Sequence, residues 1–341
     1  MTAAPHTAVS APADPLSAAH PTLARLLRDL ESRWPSGGER VHRISRYALL
    51  PAGKMLRPLL LVESARAVGG GYEESLPAAL GVEYLHAGSL VHDDVIDGDA
   101  LRRGRPTVVA RYGVADAVVT GDALIMGMFA AVAECADQGL PAERLLEAVR
   151  VLARAGVDLC RGQAMEADLC GDAACGLDRY LTMISLKTSA LFRGACQAGA
   201  LLGGGDATWQ RALTSYAEHL GLAFQMHDDL LPYTSETAAT GKSALSDTAN
   251  GRPTFPVLVA YERASAAERE TLRTALRGTL PAPDAYDAVR RVLDSTGALR
   301  AARERARAEV AHAKDRLAEL PPTEGSAVLA AIADFSADRE R

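Results

Sequence analysis

Two short acidic segments carry most of the chemistry written into this chain of 341 residues: His92-Asp93-Asp94-Val95-Ile96-Asp97 and Gln225-Met226-His227-Asp228-Asp229-Leu230-Leu231-Pro232. Each sits on an apolar run that reads as a helix. Carboxylates gathered on an apolar helix repel one another and lose solvation. A divalent cation offsets both costs, and magnesium, which prefers oxygen ligands, is the expected ion. Asp93 and Asp97 stand four residues apart and share a face, with Asp94 about 100° round, so the cluster is expected to point one way.

One such segment alone reads more readily as a solvated helix face, but its basic neighbours change the reading. Arg102-Arg103-Gly104 follows five residues past Asp97, and Gly53-Lys54-Met55-Leu56-Arg57-Pro58 lies upstream, so fixed positive charge flanks the acids on both sides. Acid, metal and base together suit a diphosphate. Mg²⁺ is held by one or two carboxylates plus phosphate oxygens, while Arg supplies paired donors and Lys a point charge.

The elements that must position these groups are helices. From Leu23 onward apolar residues recur at helical spacing, Ala and Leu dominate, and alternating strand patterns are hard to find. Gly- and Pro-rich breaks punctuate roughly ten or more helices, which predicts an all-α fold, a large antiparallel helical bundle. Glu83, His86, Leu90, Asp93 and Asp97 follow 3,4,3,4 spacing and line one stripe, which turns His86 from an ordinary core histidine into a site candidate. Gly104 and Pro106 end that segment, so Arg102 and Arg103 leave the helix within reach of the acids. Residues 1–20, rich in Ala, Pro, Ser and Thr, are expected to be a mobile tail, and 21–341 a single all-helical domain.

Composition excludes several functions. A formal net charge of -6 with no Lys/Arg run argues against nucleic acid and against an anionic membrane surface. Five cysteines without paired Cys-x-x-Cys spacing indicate neither a disulfide framework nor zinc, and fit a reducing cytoplasm. No uninterrupted apolar stretch reaches about 18 residues, so a soluble cytoplasmic protein without stable membrane insertion is expected.

Taken in order, the motifs resemble those of the trans-isoprenyl diphosphate synthase (polyprenyl synthetase) family. They are Gly53-Lys54-x-Leu56-Arg57-Pro58, Glu83-x-x-His86-x-x-Ser89-Leu90-x-His92-Asp93-Asp94-x-x-Asp97, and Leu101-Arg102-Arg103-Gly104-x-Pro106-Thr107. Gly121-Asp122-x-Leu124, Gly162-Gln163, Lys187-Thr188-x-x-Leu191-Phe192, Phe224-Gln225-x-x-Asp228-Asp229 and Gly241-Lys242-x-x-x-x-Asp247 continue the order. The resemblance implies a helical bundle around a central cavity, usually a homodimer. It implies that Asp93, Asp94, Asp97, Asp228 and Asp229 hold or support three Mg²⁺ ions bound to an allylic diphosphate. Arg102, Lys187 and Lys242 would contact that diphosphate, beside Thr188 and Gln225. Lys54, Arg57, His86 and Arg103 would bind isopentenyl diphosphate without metal.

The implied chemistry is chain-elongating prenyl transfer. Ionisation of the allylic diphosphate exposes a carbocation, the double bond of isopentenyl diphosphate attacks it, and the proton leaves to the departing diphosphate. No protein nucleophile is needed, which agrees with the absence of any Ser/His/Asp or Cys/His arrangement. Gly88 and Ser89, the small residues five and four before the first aspartate, are the chain-length positions in this family and favour a C20 product, geranylgeranyl diphosphate. Met126, Met128 and Phe129 are alternative tunnel-filling residues from a neighbouring helix.

One departure stands out. Pro232 occupies the place of the third acid in the second motif, and its ring is expected to kink or end the helix just past the ligands. A class I terpene cyclase on the same fold, and a non-catalytic partner subunit, are the alternative functions. The basic blocks argue against both.

Overall fold

The computed structural model describes residues 21–234 and 246–337. The expected 1–20 tail and Lys242 lie outside the described residues. Among the described residues the chain is all-α apart from one hairpin of two-residue strands. In order come α1 (Pro21–Arg33), α2 (Arg40–Leu49), α3 (Leu56–Ala67), α4 (Tyr72–Asp97), and the antiparallel pair β1 (Leu101–Arg102) and β2 (Arg105–Pro106). Next follow α5 (Val108–Tyr112), α6 (Val114–Glu134), a 3₁₀ turn, α7 (Ala142–Leu169), α8 (Leu177–Ile184), a π-helical turn (Ser185–Ser189), α9 (Ala190–Leu202) and α10 (Ala207–Thr234). The remainder is α11 (Ser246–Ala249), α12 (Phe255–Arg263), α13 (Ala266–Leu276), α14 (Ala282–Thr296), α15 (Ala298–Leu317) and α16 (Glu324–Ala337).

The long helix α4 is delimited by local chemistry. The Glu74 carboxylate accepts from the Gly71 N–H at 2.8 Å, and two acids in the first turn complement the helix dipole. At the other end Gly98 takes a left-handed conformation (φ 67°) and stops the helix one residue past Asp97. The acids therefore sit on the last turns of a rigid rod, and the chain turns back immediately into the hairpin that carries Arg102 and Arg103.

Two large apolar clusters hold the bundle together, beside a small third one of Ile44, Val91, Val108 and Ala117. The larger one joins α1, α3, α4, α6, α7, α9 and the first half of α10 to α15 and α16; the second joins α8 and α12–α15 to the last turns of α10. Helix α10 belongs to both. Leu213, Tyr216 and Leu220 are fully buried in the first cluster, and Met226, Leu230 and Tyr233 lie in the second. At roughly 1.5–3 kcal/mol for each large side chain removed from water, these contacts fix α10 firmly enough to aim Asp228. The central cavity lies where the clusters meet, lined by Phe224 from the one side and Met183 and Ile184 from the other.

Helix α10 does not stop at Pro232; it runs on to Thr234. The ring removes only the bond to the Asp228 carbonyl, and the Pro232 carbonyl accepts from Tyr286 Oη at 2.9 Å. Packing from α14 thus holds a turn that sequence reasoning expects to break.

Candidate active site

The cavity of about 470 Å³ is lined by Asp93 and Asp97 from α4, Asp228 from α10, Asp247 from α11 and Glu166 from α7. Lys187, Thr188, Arg252, Arg57, His86, Arg102 and Arg103 line it too, so the two acidic segments and most of the basic groups converge.

The π-helical turn places Lys187 and Thr188. Such wide turns are rare and concentrate at functional sites. Two glycines make room for it: a Cβ on Gly162 of α7 would lie 2.3 Å from the Lys187 nitrogen, and one on Gly221 of α10 would lie 2.7 Å from the Ser189 Cα. Lys187 pairs with Glu166, one helical turn past Gly162, and Thr188 Oγ1 donates to Gln225 Oε1 at 2.8 Å.

Each Asp-Asp pair splits its duties. In the first, Asp93 lines the cavity, whereas Asp94 is buried outside its lining and accepts from Arg102 Nε and Nη2 at 2.7 and 2.6 Å. In the second, Asp228 and Asp229 both line the cavity, and Asp229 is also tied down, accepting from Tyr180 Oη at 2.6 Å, from the Phe255 N–H at 2.8 Å and from Gln225 Nε2 at 2.8 Å. Neighbours in a helix lie about 100° apart, so the second acid of each pair can anchor its helix to other elements, Asp94 from outside the cavity lining and Asp229 from within it. Of the five acids expected to hold or support metal, Asp94 is bonded to Arg102 and Asp229 to three donors.

Burial raises Asp93 and Asp229. Burial pushes the Asp93 carboxyl above its ordinary value; Lys187 opposes this and Asp97 adds to it. Burial takes Asp229 up to about 7, with its three hydrogen bonds pulling the other way. Arg252 bridges Asp97 at 2.8 Å and Asp247 at 3.5 Å; burial disfavours its charge, but Glu166, Asp97 and Asp247 outweigh that and raise its pKa. The donors on this wall are all carboxylate oxygens, the set that suits a hard dication such as Mg²⁺ or Ca²⁺.

A second, basic wall lies around Arg57. Arg57 Nη1 donates to His86 Nε2 at 3.1 Å, and its guanidinium stacks 4.8 Å from the Phe192 ring centroid. Because arginine has no acceptor, His86 must be neutral with its proton on Nδ1. Burial and the neighbouring Arg57 and Arg103 lower the His86 pKa well below its usual value, in agreement. Burial lowers Arg57 to about 10, while Glu83 beneath it rises to about 7, burial outweighing Arg57 and Arg103. Arg103 reaches this wall from a left-handed backbone position (φ 52°) in the hairpin turn.

Other sequence expectations fare differently. Lys54 is exposed, does not line the cavity, and lies 5.8 Å from the Phe335 ring of α16. Ser89 lines the cavity, but Gly88 does not: a Cβ there would meet the Gly121 carbonyl oxygen of α6 at 2.8 Å. Met126 points outward, 63% exposed, and Met128 is buried in the first cluster. Sequence reasoning missed Glu166, Arg252 and Tyr180. Glu166 had a signal, its one-turn spacing from Gly162; Arg252, in a loop without periodicity, had none.

The comparisons agree with this geometry. The polyprenyl synthetase family profile matches residues 38–293. A short chain isoprenyl diphosphate synthase of Methanothermobacter thermautotrophicus is 36% identical over 302 residues, 89% of this chain and 91% of that protein. The crystal structure of geranylgeranyl pyrophosphate synthetase from Pyrococcus horikoshii superposes with a TM-score of 0.85 at 30% identity, covering 93% of this chain and 96% of the other. A polyprenyl synthase from Caulobacter crescentus, solved with calcium and isoprenyl diphosphate, gives 0.85 at 30% identity, covering 96% and 97%. With three quarters of its length inside one family's pattern and its acids and bases around one cavity, this chain belongs to the polyprenyl synthetase family.

Proposed function

We propose that this protein condenses isopentenyl diphosphate with an allylic diphosphate and releases geranylgeranyl diphosphate, C20, as its main product. The observation that carries this is the opposition of two walls in one cavity: Asp93, Asp97 and Asp228 on one, Arg57, His86 and Arg103 on the other. Two diphosphates of different ligation fit such a site. The Pyrococcus relative is named for the C20 product, and Ser89 leaves the cavity floor without an aromatic plug.

Asp93, Asp97 and Asp228 would hold Mg²⁺, three ions by family resemblance, with Asp247 beside them. When bound, the metal stabilises charge on the departing diphosphate. Lys187, Arg252 and Arg102 present further cationic donors to the same oxygens, and binding of an anion would draw the first two from Glu166 and Asp97. Lys242 belongs to the same proposed group. Arg57 and Arg103 hold the second diphosphate, and the His86 Nδ1–H is available as a neutral donor. Leu90, Leu159, Met183, Ile184 and Phe224 line the cavity and keep water from the carbocation.

The same reading includes a soluble cytoplasmic homodimer. Helix α6 presents Val114, Val118, Val119 and Met126 to solvent, the last two 52% and 63% exposed. The segment Val114–Gln138 is long and apolar enough to cross a membrane by composition, but Asp116, Asp122 and Glu134 interrupt it, and a second copy is the better cover.

The test is incubation of purified protein with Mg²⁺, isopentenyl diphosphate and dimethylallyl, geranyl or farnesyl diphosphate, followed by product analysis. A C20 diphosphate is expected from each starter. Hydrocarbon formed from an allylic diphosphate alone, or no turnover with any pair, overturns the proposal.

A further inference from the structure

On the face of α10 turned away from the cavity, His219 meets Glu309 and His312 of α15. His219 and Asp228 are nine residues apart, two and a half turns, which puts them on opposite sides of the helix and about 13 Å apart along it. The three side chains are therefore separate from the site above. Glu309 and His312 are spaced i,i+3 and share a face of α15, while His219 comes from the facing helix. His219 Nδ1 lies 2.7 Å from Glu309 Oε2, the two imidazole centroids are 5.3 Å apart at 57°, and one ligand atom from each residue falls within 4.8 Å of the others.

A hydrogen bond between His219 and Glu309 accounts for two members of this group but leaves His312 without a reason to converge. A dication of the zinc type accounts for all three. Tetrahedral zinc with ligands at about 2.0–2.2 Å needs donor separations near 3.3 Å, which small rotations of the exposed His312 provide. Two imidazoles and one carboxylate leave the fourth position open to water, since His219 and Glu309 are partly exposed and His312 is exposed. The donor chemistry also separates the sites. Imidazole suits zinc, cobalt or nickel, whereas the all-carboxylate wall of the cavity suits magnesium.

We propose that His219, Glu309 and His312 form a transition-metal site that braces α15 against α10. A neutral His219 that carries its proton on Nε2 leaves Nδ1 and the Glu309 carboxylate both free to ligate. Because the site exists only in the folded chain, occupancy raises thermal stability. Turnover measured with Mg²⁺ alone does not depend on it, because its ligands face away from the cavity.

The test uses tag-free full-length protein in excess Mg²⁺, titrated with Zn²⁺ calorimetrically and by thermal unfolding, alongside His312→Ala and Glu309→Gln. Circular dichroism establishes that each variant is folded. The wild type should take up one more equivalent than either variant, with affinity at that site lost by about tenfold or more, and should alone show a zinc-dependent rise in melting temperature. Cobalt in place of zinc should give visible absorption bands that His312→Ala abolishes. Identical isotherms and identical melting shifts in all three proteins overturn the proposal.

Discussion

The two walls of the cavity solve opposite electrostatic problems. On the acidic wall, Asp93, Asp97 and Asp228 crowd together, and cationic side chains from other elements, Lys187 and Arg252, offset their repulsion. On the basic wall the imbalance is reversed, and Glu83, buried beneath Arg57 and Arg103, supplies the compensation. The acidic wall is provisional, since its ion pairs are made by flexible side chains that an anion can attract away. The basic wall is built in, because Glu83 sits in the core and the central arginine is clamped between Phe192 and His86. A wall of the first kind suits a ligand that arrives with cations, and one of the second suits a bare anion.

The sharpest way to break this comparison is to separate neighbouring acids. Asp93→Ala should lower kcat on the order of 10³-fold, the scale of losing one electrostatic stabiliser, while leaving the apo fold as stable or more so because a repulsive charge is gone. Asp94→Ala should instead strike stability. It strands Arg102, which is 27% exposed and donates twice to Asp94, and about 1–3 kcal/mol should be lost in urea unfolding. Turnover of Asp93→Ala within tenfold of wild type would remove Asp93 from the cation-holding set, and unchanged stability of Asp94→Ala would remove its anchoring role.

The basic wall is tested by pH. Glu83 has an ordinary value of 4.5 and about 7 in the fold, so the native state holds its proton more tightly. The stability this contributes is present below pH 4.5 and is lost as pH rises towards 7, on the order of 3 kcal/mol in all. His86 acts oppositely: kept neutral in the fold, it adds stability as pH rises through 6.5, where the unfolded chain sheds its proton. Glu83→Gln removes the first slope and leaves the second. Urea unfolding at pH 5 and pH 7 should show the variant gaining stability on that interval relative to wild type; parallel slopes would show that Glu83 is ionised throughout.

How much of this was readable beforehand follows from where each signal resides. The stripe Glu83–His86–Leu90–Asp93–Asp97 is a period within one helix, and the helix forms as that period dictates. The same geometry, a 100° step between neighbours, sets Asp94 and Asp229 apart from the acids before them, but the anchors they find, Arg102 and Tyr180, are side chains from other elements. Arg252 lies in a segment without periodicity, and only the tertiary fold brings it to Asp97. Gly88 illustrates the converse. Its size looked like room for a growing chain, and the room is filled by the backbone of α6.

That last difference yields a paired test of the cavity floor. Gly88→Ala should destabilise by about 1–3 kcal/mol, since its Cβ would meet the Gly121 carbonyl at 2.8 Å and Ile125 Cγ1 at 3.1 Å, and should leave product length unchanged. Ser89→Phe, on a cavity-lining position, should shift the product towards C15, read by chromatography of the dephosphorylated alcohols. A shorter product from Gly88→Ala with normal stability would return the chain-length role to position 88.

The smallest effect belongs to Pro232. The proline lines the cavity at the place of the third acid of the second motif, yet α10 continues past it and Tyr286 caps its carbonyl. Restoring the acid with Pro232→Asp adds an N–H that can reach the Asp228 carbonyl and a carboxylate beside Asp228, two changes with opposite signs. The first tightens the helix by about 1 kcal/mol, and the second adds repulsion in the absence of cation. With Asp93, Asp97 and Asp228 already converging, the added carboxylate is not needed for ligation, so turnover at saturating Mg²⁺ should change by no more than about threefold, well under 1 kcal/mol of barrier. A large fall in the Mg²⁺ concentration for half-maximal activity would instead mean that the acidic wall is one ligand short, and that the flexible cations on it are making good a missing site.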